Sequence, residues 1–283
     1  MRCRYQTPLV IVGGGTMARA IADGAAAVGD SLTAWRLAEP DPSRHAHFQT
    51  LGIQVFTDAA SAMDDAVSRE PAGGEGVRLL LAIKPQVLAE VSAGLANALP
   101  VRGVPIVSIL AGTTIERLHH AFPGCRRVVR AMPNLAARIG MGVTALASSS
   151  QSTPEDLDFA RSMFESVGPM VVSIEESLMD AFTALAGSGP AYLFFLAEAM
   201  ARAGVELGFD DATAQSVTRQ TLAGAARLLA ETPDRPEALR AAVTSKGGTT
   251  EAASAVLERR GVAASLLEAM TAARDRGREL SRF

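Results

Sequence analysis

At 283 residues, with 48% hydrophobic side chains and a formal net charge of −3, the chain is long enough for two domains and apolar enough to bury their cores. That composition excludes a disordered polypeptide, and the lack of any basic run excludes an electrostatic footprint for nucleic acid or an anionic membrane. Met1–Thr7 carries no signal-peptide core, and apolar stretches are broken by Gly, Pro or charge before the roughly 18 residues that a span requires, so a cytoplasmic chain with no membrane segment is expected.

Two cysteines, Cys3 and Cys125, form no CxxC pair and read as free thiols of a reducing compartment. The histidines His45, His47, His119 and His120 show no metal-ligand spacing and read as solvated side chains, and no metal is expected.

In the first half, short β-branched runs alternate with amphipathic segments. Strands are predicted at Leu9–Val12, Leu32–Arg36, Arg78–Ile83, Ile106–Leu110, Arg127–Arg130, Val143–Ala147 and Met170–Ser173. Helices are predicted between them at Thr16–Val28, Pro42–Leu51, Gln86–Leu99, Thr114–His120 and Pro154–Ser166, with a surface loop over Ser68–Gly76. This alternation predicts an α/β fold with a doubly wound parallel sheet of Rossmann type.

Beyond about Ile174 the strand signals stop and a period near 3.6 takes over. Helices are predicted at Glu175–Ala186, Pro190–Leu207, Asp210–Ala230, Pro236–Val243, Thr249–Arg259 and Val262–Leu280. The chain therefore divides into a dinucleotide-binding domain, residues 1–172, and an all-helical domain, residues 173–283.

Leu9–Val12 runs into Gly13-Gly-Gly15-Thr16-Met17-Ala18 at the head of a helical pattern, which fits the G-x-G-x-x-G/A dinucleotide fingerprint in its required context. Gly13 makes the tight turn, and Gly15 lets backbone approach a pyrophosphate resting on the helix start. Near the end of the second strand Arg36 suits a 2′-phosphate and favours NADPH, while Glu39 a little further on leaves NADH open. Further turns stand at strand ends, and ligands of open α/β sheets gather at that edge. They are Ala82-Ile-Lys84-Pro85, the segment through Ala111, and Ala131-Met-Pro-Asn134, whose amide falls near the expected nicotinamide position.

Two motifs mark the second half. Gly187-Ser-Gly-Pro-Ala-Tyr192 permits a close chain reversal, with Pro190 suited to a first helical turn. Val243-Thr-Ser245-Lys-Gly247-Gly248-Thr249-Thr250-Glu-Ala252 places two glycines with the hydroxyls of Ser245, Thr249 and Thr250 at a helix start, an arrangement that serves as an N-cap or as a carboxylate site.

These motifs, with Ile83-Lys-Pro85 and Arg130-Ala-Met-Pro-Asn134, resemble the pyrroline-5-carboxylate reductases in order and spacing over roughly residues 8–281. The resemblance implies a Rossmann domain followed by a helical substrate and dimerisation domain that interlocks with a partner subunit, in many members built further into rings. It implies hydride transfer from NAD(P)H to the imine carbon of 1-pyrroline-5-carboxylate, giving L-proline. By the resemblance, Thr250 bonds the imine nitrogen, the backbone of Gly247–Thr249 holds the substrate carboxylate with Ser245 close by, and the site is completed between subunits. From the fingerprint and the strand-end turns, the nucleotide is expected to lie along Gly13, Gly15, Thr16, Met17, Arg36, Ala82, Lys84, Pro85, Ala111 and Asn134. The sequence departs from many members at Leu135-Ala136, where Thr-Pro is common, at Lys246, where proline is common, and at Ser254, usually aliphatic. A β-hydroxyacid-type dehydrogenase would require a lysine within a helix of the second domain, and Lys246 instead lies in a glycine loop. A non-catalytic nucleotide-binding regulator would have no use for a substrate-carboxylate loop.

Overall fold

The computed structural model describes residues 7–70, 76–100 and 103–281. Cys3 lies outside the described residues, as does most of the predicted Ser68–Gly76 loop. The chain divides into two compact units, one comprising the residues up to Gly187 together with those from Ala273 onward, the other comprising Ser188–Ala272.

The first unit is built on an eight-stranded sheet: β1 (Leu9–Val12), β2 (Trp35–Ala38), β3 (Gln54–Phe56), β4 (Arg78–Leu81), β5 (Ile106–Ser108), β6 (Val128–Pro133), β7 (Val143–Ser148) and β8 (Met170–Ser173), in the spatial order 3-2-1-4-5-6-7-8. Every neighbouring pair is parallel except β6 and β7, which run antiparallel from Val129 opposite Ser148 to Pro133 opposite Thr144. The expected doubly wound parallel sheet is found, with this one antiparallel pair added. The link from β6 to β7 is a single 3-10 turn, Leu135–Ile139, closed by left-handed Gly140, and it is too short to carry the chain back for a parallel return.

The central strand β1, Leu-Val-Ile-Val, is buried on both faces, as parallel strands covered by helices on each side must be. Leu9 and Ile11 point into a core with Trp35, Leu37 and Phe164, backed by α1 (Thr16–Ala27) and α6 (Pro154–Glu165). Val10 and Val12 point the other way, into a core with Leu79, Leu81 and Met63. That face is covered by α3 (Ala59–Ser68), α4 (Leu88–Leu95) and α5 (Ile115–Ala121), while the short α2 (His45–Thr50) follows β2. Cys125 sits in the same core as a free thiol, and burial pushes its pKa up.

Two elements were not predicted from the sequence. β3 has only three residues, too few for an alternating pattern to register. α3 did carry a signal: Asp58 caps it by accepting from Ser61 N–H at 2.8 Å, and Ala62, Met63 and Ala66 form its buried stripe.

After β8 the backbone stays helical through α7 (Met179–Phe182), a π-helical turn over Thr183–Gly187, and α8 (Gly189–Glu206). The run Glu176–Glu206, 31 residues with a mean hydropathy of 1.2 over its best window, has the length and composition to cross a membrane. This departs from the expectation that Gly and Pro interrupt every such stretch. Gly187 is absorbed in the π turn, and Pro190 lies in the first turn of α8, where the missing N–H costs no helical bond. Then follow α9 (Asp211–Glu231), α10 (Pro236–Ala242), α11 (Thr249–Arg259) and α12 (Val262–Leu280).

Candidate active site

In this sheet the direction of winding reverses between β1 and β4, and the crevice at their carboxyl ends is the place where α/β folds bind ligands. Gly13 turns the chain out of β1 with φ +98°, and its N–H donates to Ala38 O at 2.9 Å. A Cβ at Gly13 would stand 2.7 Å from Ala82 O, so only glycine lets β1 and β4 end side by side. Gly15 is different. It has ordinary extended backbone as the N-cap of α1, and a Cβ there would meet nothing within 4 Å. No side chain caps α1 and no acidic residue lies in its first turn, although the starts of α3, α5, α6 and α9 are capped by Asp58, Thr114, Thr153 and Asp210. The first-turn N–H groups of α1 thus lack a side-chain acceptor, which fits a diphosphate resting there.

A cavity of about 600 Å³ opens at this point, lined by Gly13, Gly15, Glu39, Arg44, Asp58, Ala82 and Lys84 among others, within the size range of small-molecule sites. Exposed Thr16 and half-buried Met17 belong to the first turn of α1, and Met17 packs against the core. Pro85 opens a 3-10 turn just beyond Lys84. Ala111 and Asn134 follow β5 and β6 at the same edge of the sheet, outside the lining of the cavity. Asn134 has both ends of its amide engaged: Nδ2 donates to Ala186 O and Oδ1 accepts from Val143 N–H, each at 3.2 Å. It braces the π turn against β7. Nearby, buried Arg130 pairs with Glu176 at 3.2 Å and Asp180 at 3.8 Å, tying β6 to the start of the helical run.

Arg36 is not where the sequence placed it. The expectation that it meets a 2′-phosphate is corrected by its burial within β2, on the face covered by α3. Its guanidinium donates to Asp65 and to the carbonyls of Thr33 and Trp35. Asp65 would be raised by its burial, but hydrogen bonds from Arg69 and Arg36 outweigh that and hold its carboxyl below the usual range. Replacing Arg36 by Met is expected to destabilise the fold by about 3 kcal/mol, because it leaves a partly buried carboxylate short of a partner. Equilibrium denaturation would read this loss, and an unchanged ratio of NADH to NADPH turnover would confirm that Arg36 acts on the fold alone.

The residues that do border the cavity beside this strand follow β2. Glu39 is 4% exposed, accepts from Gly14 N–H at 2.7 Å and Asp41 N–H at 2.9 Å, and stands 3.4 Å from Arg44. The sequence offered Glu39 only as a competitor to Arg36; its signal was its position directly after the strand.

In the second unit, Ser245–Thr250 form one continuous loop and helix start. Gly247 has φ +74° and its N–H donates to Glu251 Oε2 at 2.7 Å. Gly248 N–H donates to Ser245 O at 3.0 Å, and a Cβ on Gly248 would fall 2.4 Å from Ser245 Oγ, so the loop closes this tightly only around glycine. Gly248 is the N-cap of α11 and offers no side-chain cap, the same device as at α1. Thr250 lies half-buried in the first turn. Glu251 holds the loop through Gly247, a role the sequence reading did not assign.

A glycine turn at the switch point of a mostly parallel sheet, an uncapped helix behind it and a helical second domain define the class of two-domain nicotinamide-nucleotide oxidoreductases. Residues 176–280 match the family profile described as pyrroline-5-carboxylate reductase dimerisation. A pyrroline-5-carboxylate reductase of Synechocystis sp. is 40% identical over 278 residues, 97% of this chain and 98% of that protein. Among solved structures, a pyrroline-5-carboxylate reductase from Coxiella burnetii superposes with a TM-score of 0.86 at 31% identity, covering 97% of this chain and 98% of that one. The NADP-bound Plasmodium falciparum pyrroline carboxylate reductase shares the fold, with a TM-score of 0.82 at 21% identity and coverage of 98% of both chains. The chain belongs to the pyrroline-5-carboxylate reductase family. As in that family, it is an NAD(P)H-dependent oxidoreductase acting on a C=N bond, and it carries the dimerisation domain.

Proposed function

We propose that this chain reduces 1-pyrroline-5-carboxylate to L-proline through Thr250 and the loop Ser245–Thr249, with the nucleotide held along Gly13, Gly15, Thr16, Met17, Ala82, Lys84, Pro85, Ala111 and Asn134. The nucleotide, when bound, supplies the hydride. The observation that carries this reading is the Gly248-capped start of α11, which presents backbone donors beside the hydroxyl of Thr250. Because Glu251 takes the Gly247 N–H and Ser245 O takes that of Gly248, the substrate carboxylate falls to the first-turn N–H groups that begin at Thr249. The imine nitrogen of the same small ring then meets the hydroxyl of Thr250.

A protonated imine is already electrophilic, so the protein's task is orientation and modest polarisation, which one hydroxyl and a row of backbone donors provide. Replacing Thr250 by Ala is expected to lower kcat on the order of 10²-fold, in line with the loss of one positioned donor, and to leave nucleotide affinity unchanged. Thr250→Ser should recover most of the loss. Steady-state rates of imine-dependent nucleotide oxidation test this, and an alanine variant with full turnover removes Thr250 from the chemistry.

In this reading residues 1–172 bind the nucleotide, residues 173–283 bind substrate and partner, and the homodimer assembles further into rings in the cytoplasm. The exposed apolar helices of the second unit support a partner subunit as their cover rather than lipid, since the family profile spanning them is one of dimerisation.

A further inference from the structure

β2 ends at Ala38, and the next side chain is a carboxylate fixed on three sides. Glu39 N–H donates to Phe56 O at 2.9 Å, Oε2 accepts from Gly14 N–H at 2.7 Å, and Oε1 accepts from Asp41 N–H at 2.9 Å. A carboxylate offers about four acceptor sites over its two oxygens, so these bonds leave Oε1 a free site, while Oε2 also takes a long, half-exposed bond from Arg44 at 3.4 Å that a ribose hydroxyl can displace. The fixed oxygens lie against the glycine turn and border the cavity. An adenosine ribose carrying two free hydroxyls has the donors that such a carboxylate accepts.

A 2′-phosphate brings up to two negative charges to the same place and needs unengaged cationic donors. The cation bordering this end is Arg44, and it is already flanked by Glu39 at 3.4 Å and Asp41 at 3.2 Å. Asp58, which follows β3 beside β2 and also lines the cavity, adds a third carboxylate. Hydrogen bonds from Ser43 hold Asp41, and hydrogen bonds from Ser61 hold Asp58, below the usual carboxylate range, so both stay ionised at neutral pH. Three carboxylates against one guanidinium leave the site negative. Lys84 stands beyond β4, at the other wall.

We propose that Glu39 selects the nucleotide by accepting the adenosine ribose hydroxyls, and that this chain turns over NADH more efficiently than NADPH. The inference rests on the reductase reading above but is tested separately from it. With saturating imine, kcat/KM for NADH should exceed that for NADPH by about tenfold or more, the scale set by one well-made charged hydrogen bond against like-charge repulsion. Glu39→Ser should cut the NADH value by about tenfold and leave that for NADPH level or higher, collapsing the ratio.

A wild-type preference for NADPH overturns the proposal. So does a Glu39→Ser variant that loses both activities equally, since Glu39 would then only brace Gly14. A measurement on the unaltered protein guards against a variant that fails to fold: 5′-AMP should bind more tightly than 2′,5′-ADP by calorimetry, and the reverse order overturns the proposal. If neither nucleotide is oxidised with the imine, the reductase reading fails, while the two adenosine ligands still decide the role of Glu39.

Discussion

Gly13→Ala is expected to weaken nucleotide binding by more than about 100-fold and to destabilise the fold, and Gly15→Ala to weaken binding by about tenfold and leave the fold unchanged. At Gly13 the added methyl has nowhere to go. Its φ of +98° lies where an L-residue is strained by about 1–3 kcal/mol, and the Cβ would press on Ala82 O at 2.7 Å and on Ala82 C and Ile83 Cγ2 at 3.0 Å. Two of those atoms are backbone at the end of β4, where Ala82 N–H is bonded to Val12 O at 2.9 Å. Relief therefore requires parting β1 from β4, which reshapes the crevice and costs stability. At Gly15 the methyl meets nothing in the protein and the backbone is already in a common region, so the fold should keep its midpoint of denaturation. What the methyl meets is the approaching diphosphate. Fluorescence titration with NADH, read beside thermal unfolding, separates the two positions. Wild-type affinity in Gly15→Ala would mean that the diphosphate does not approach there.

The glycine turn was legible because a strand, a fingerprint and a helix each have a local signature, and they occur in immediate succession from Leu9 to Ala18. The loop Ser245–Thr250 was legible for the same reason, and α11 and α12 begin and end where the period predicts. What escaped was set by tertiary placement. Arg36 and Glu39 are both charged and only three residues apart, and nothing local says which reaches the cavity. The strand end decides it: with β2 closing at Ala38, Arg36 is fixed within the sheet by Asp65, and Glu39 emerges at the switch point. The antiparallel turn of β7 was hidden likewise, since β-branched runs look alike in either direction and only the short link from Pro133 to Val143 carries the information. Asn134 shows a third limit: its type suited a ligand, and no local signal announced that the fold also engages both ends of its amide, with Ala186 and Val143.

The helical unit exposes a different dependence, which a single charge should reveal. Among the described residues of Ser188–Ala272, burial is confined to Ala201, Ala214 and Thr218, and α10, α11 and α12 bury nothing. Phe194, Phe195, Leu207, Leu257 and Leu267 are all exposed on the isolated chain, Phe195 by 74%. Helices that bury no large side chain cannot repay the entropy of ordering their backbone, about 1–2 kcal/mol per residue, so their core has to come from a second copy. Phe195→Glu is the sharpest test. Each copy would lose about 1.5–3 kcal/mol of apolar burial and would also have to desolvate a carboxylate at a further cost of several kcal/mol. Two-fold symmetry counts this twice, so the dimer dissociation constant should rise on the order of 10⁴-fold or more. Sedimentation over a range of concentrations should show monomers, circular dichroism should show lost helix, and imine-dependent turnover should fall with the dimer, because the Ser245–Thr250 loop depends on α11 being ordered. Val28→Glu, an equally apolar exposed position at the end of α1 in the first unit, should leave assembly and turnover intact. A Phe195→Glu protein that remains dimeric and active would place the interface elsewhere on the helical unit.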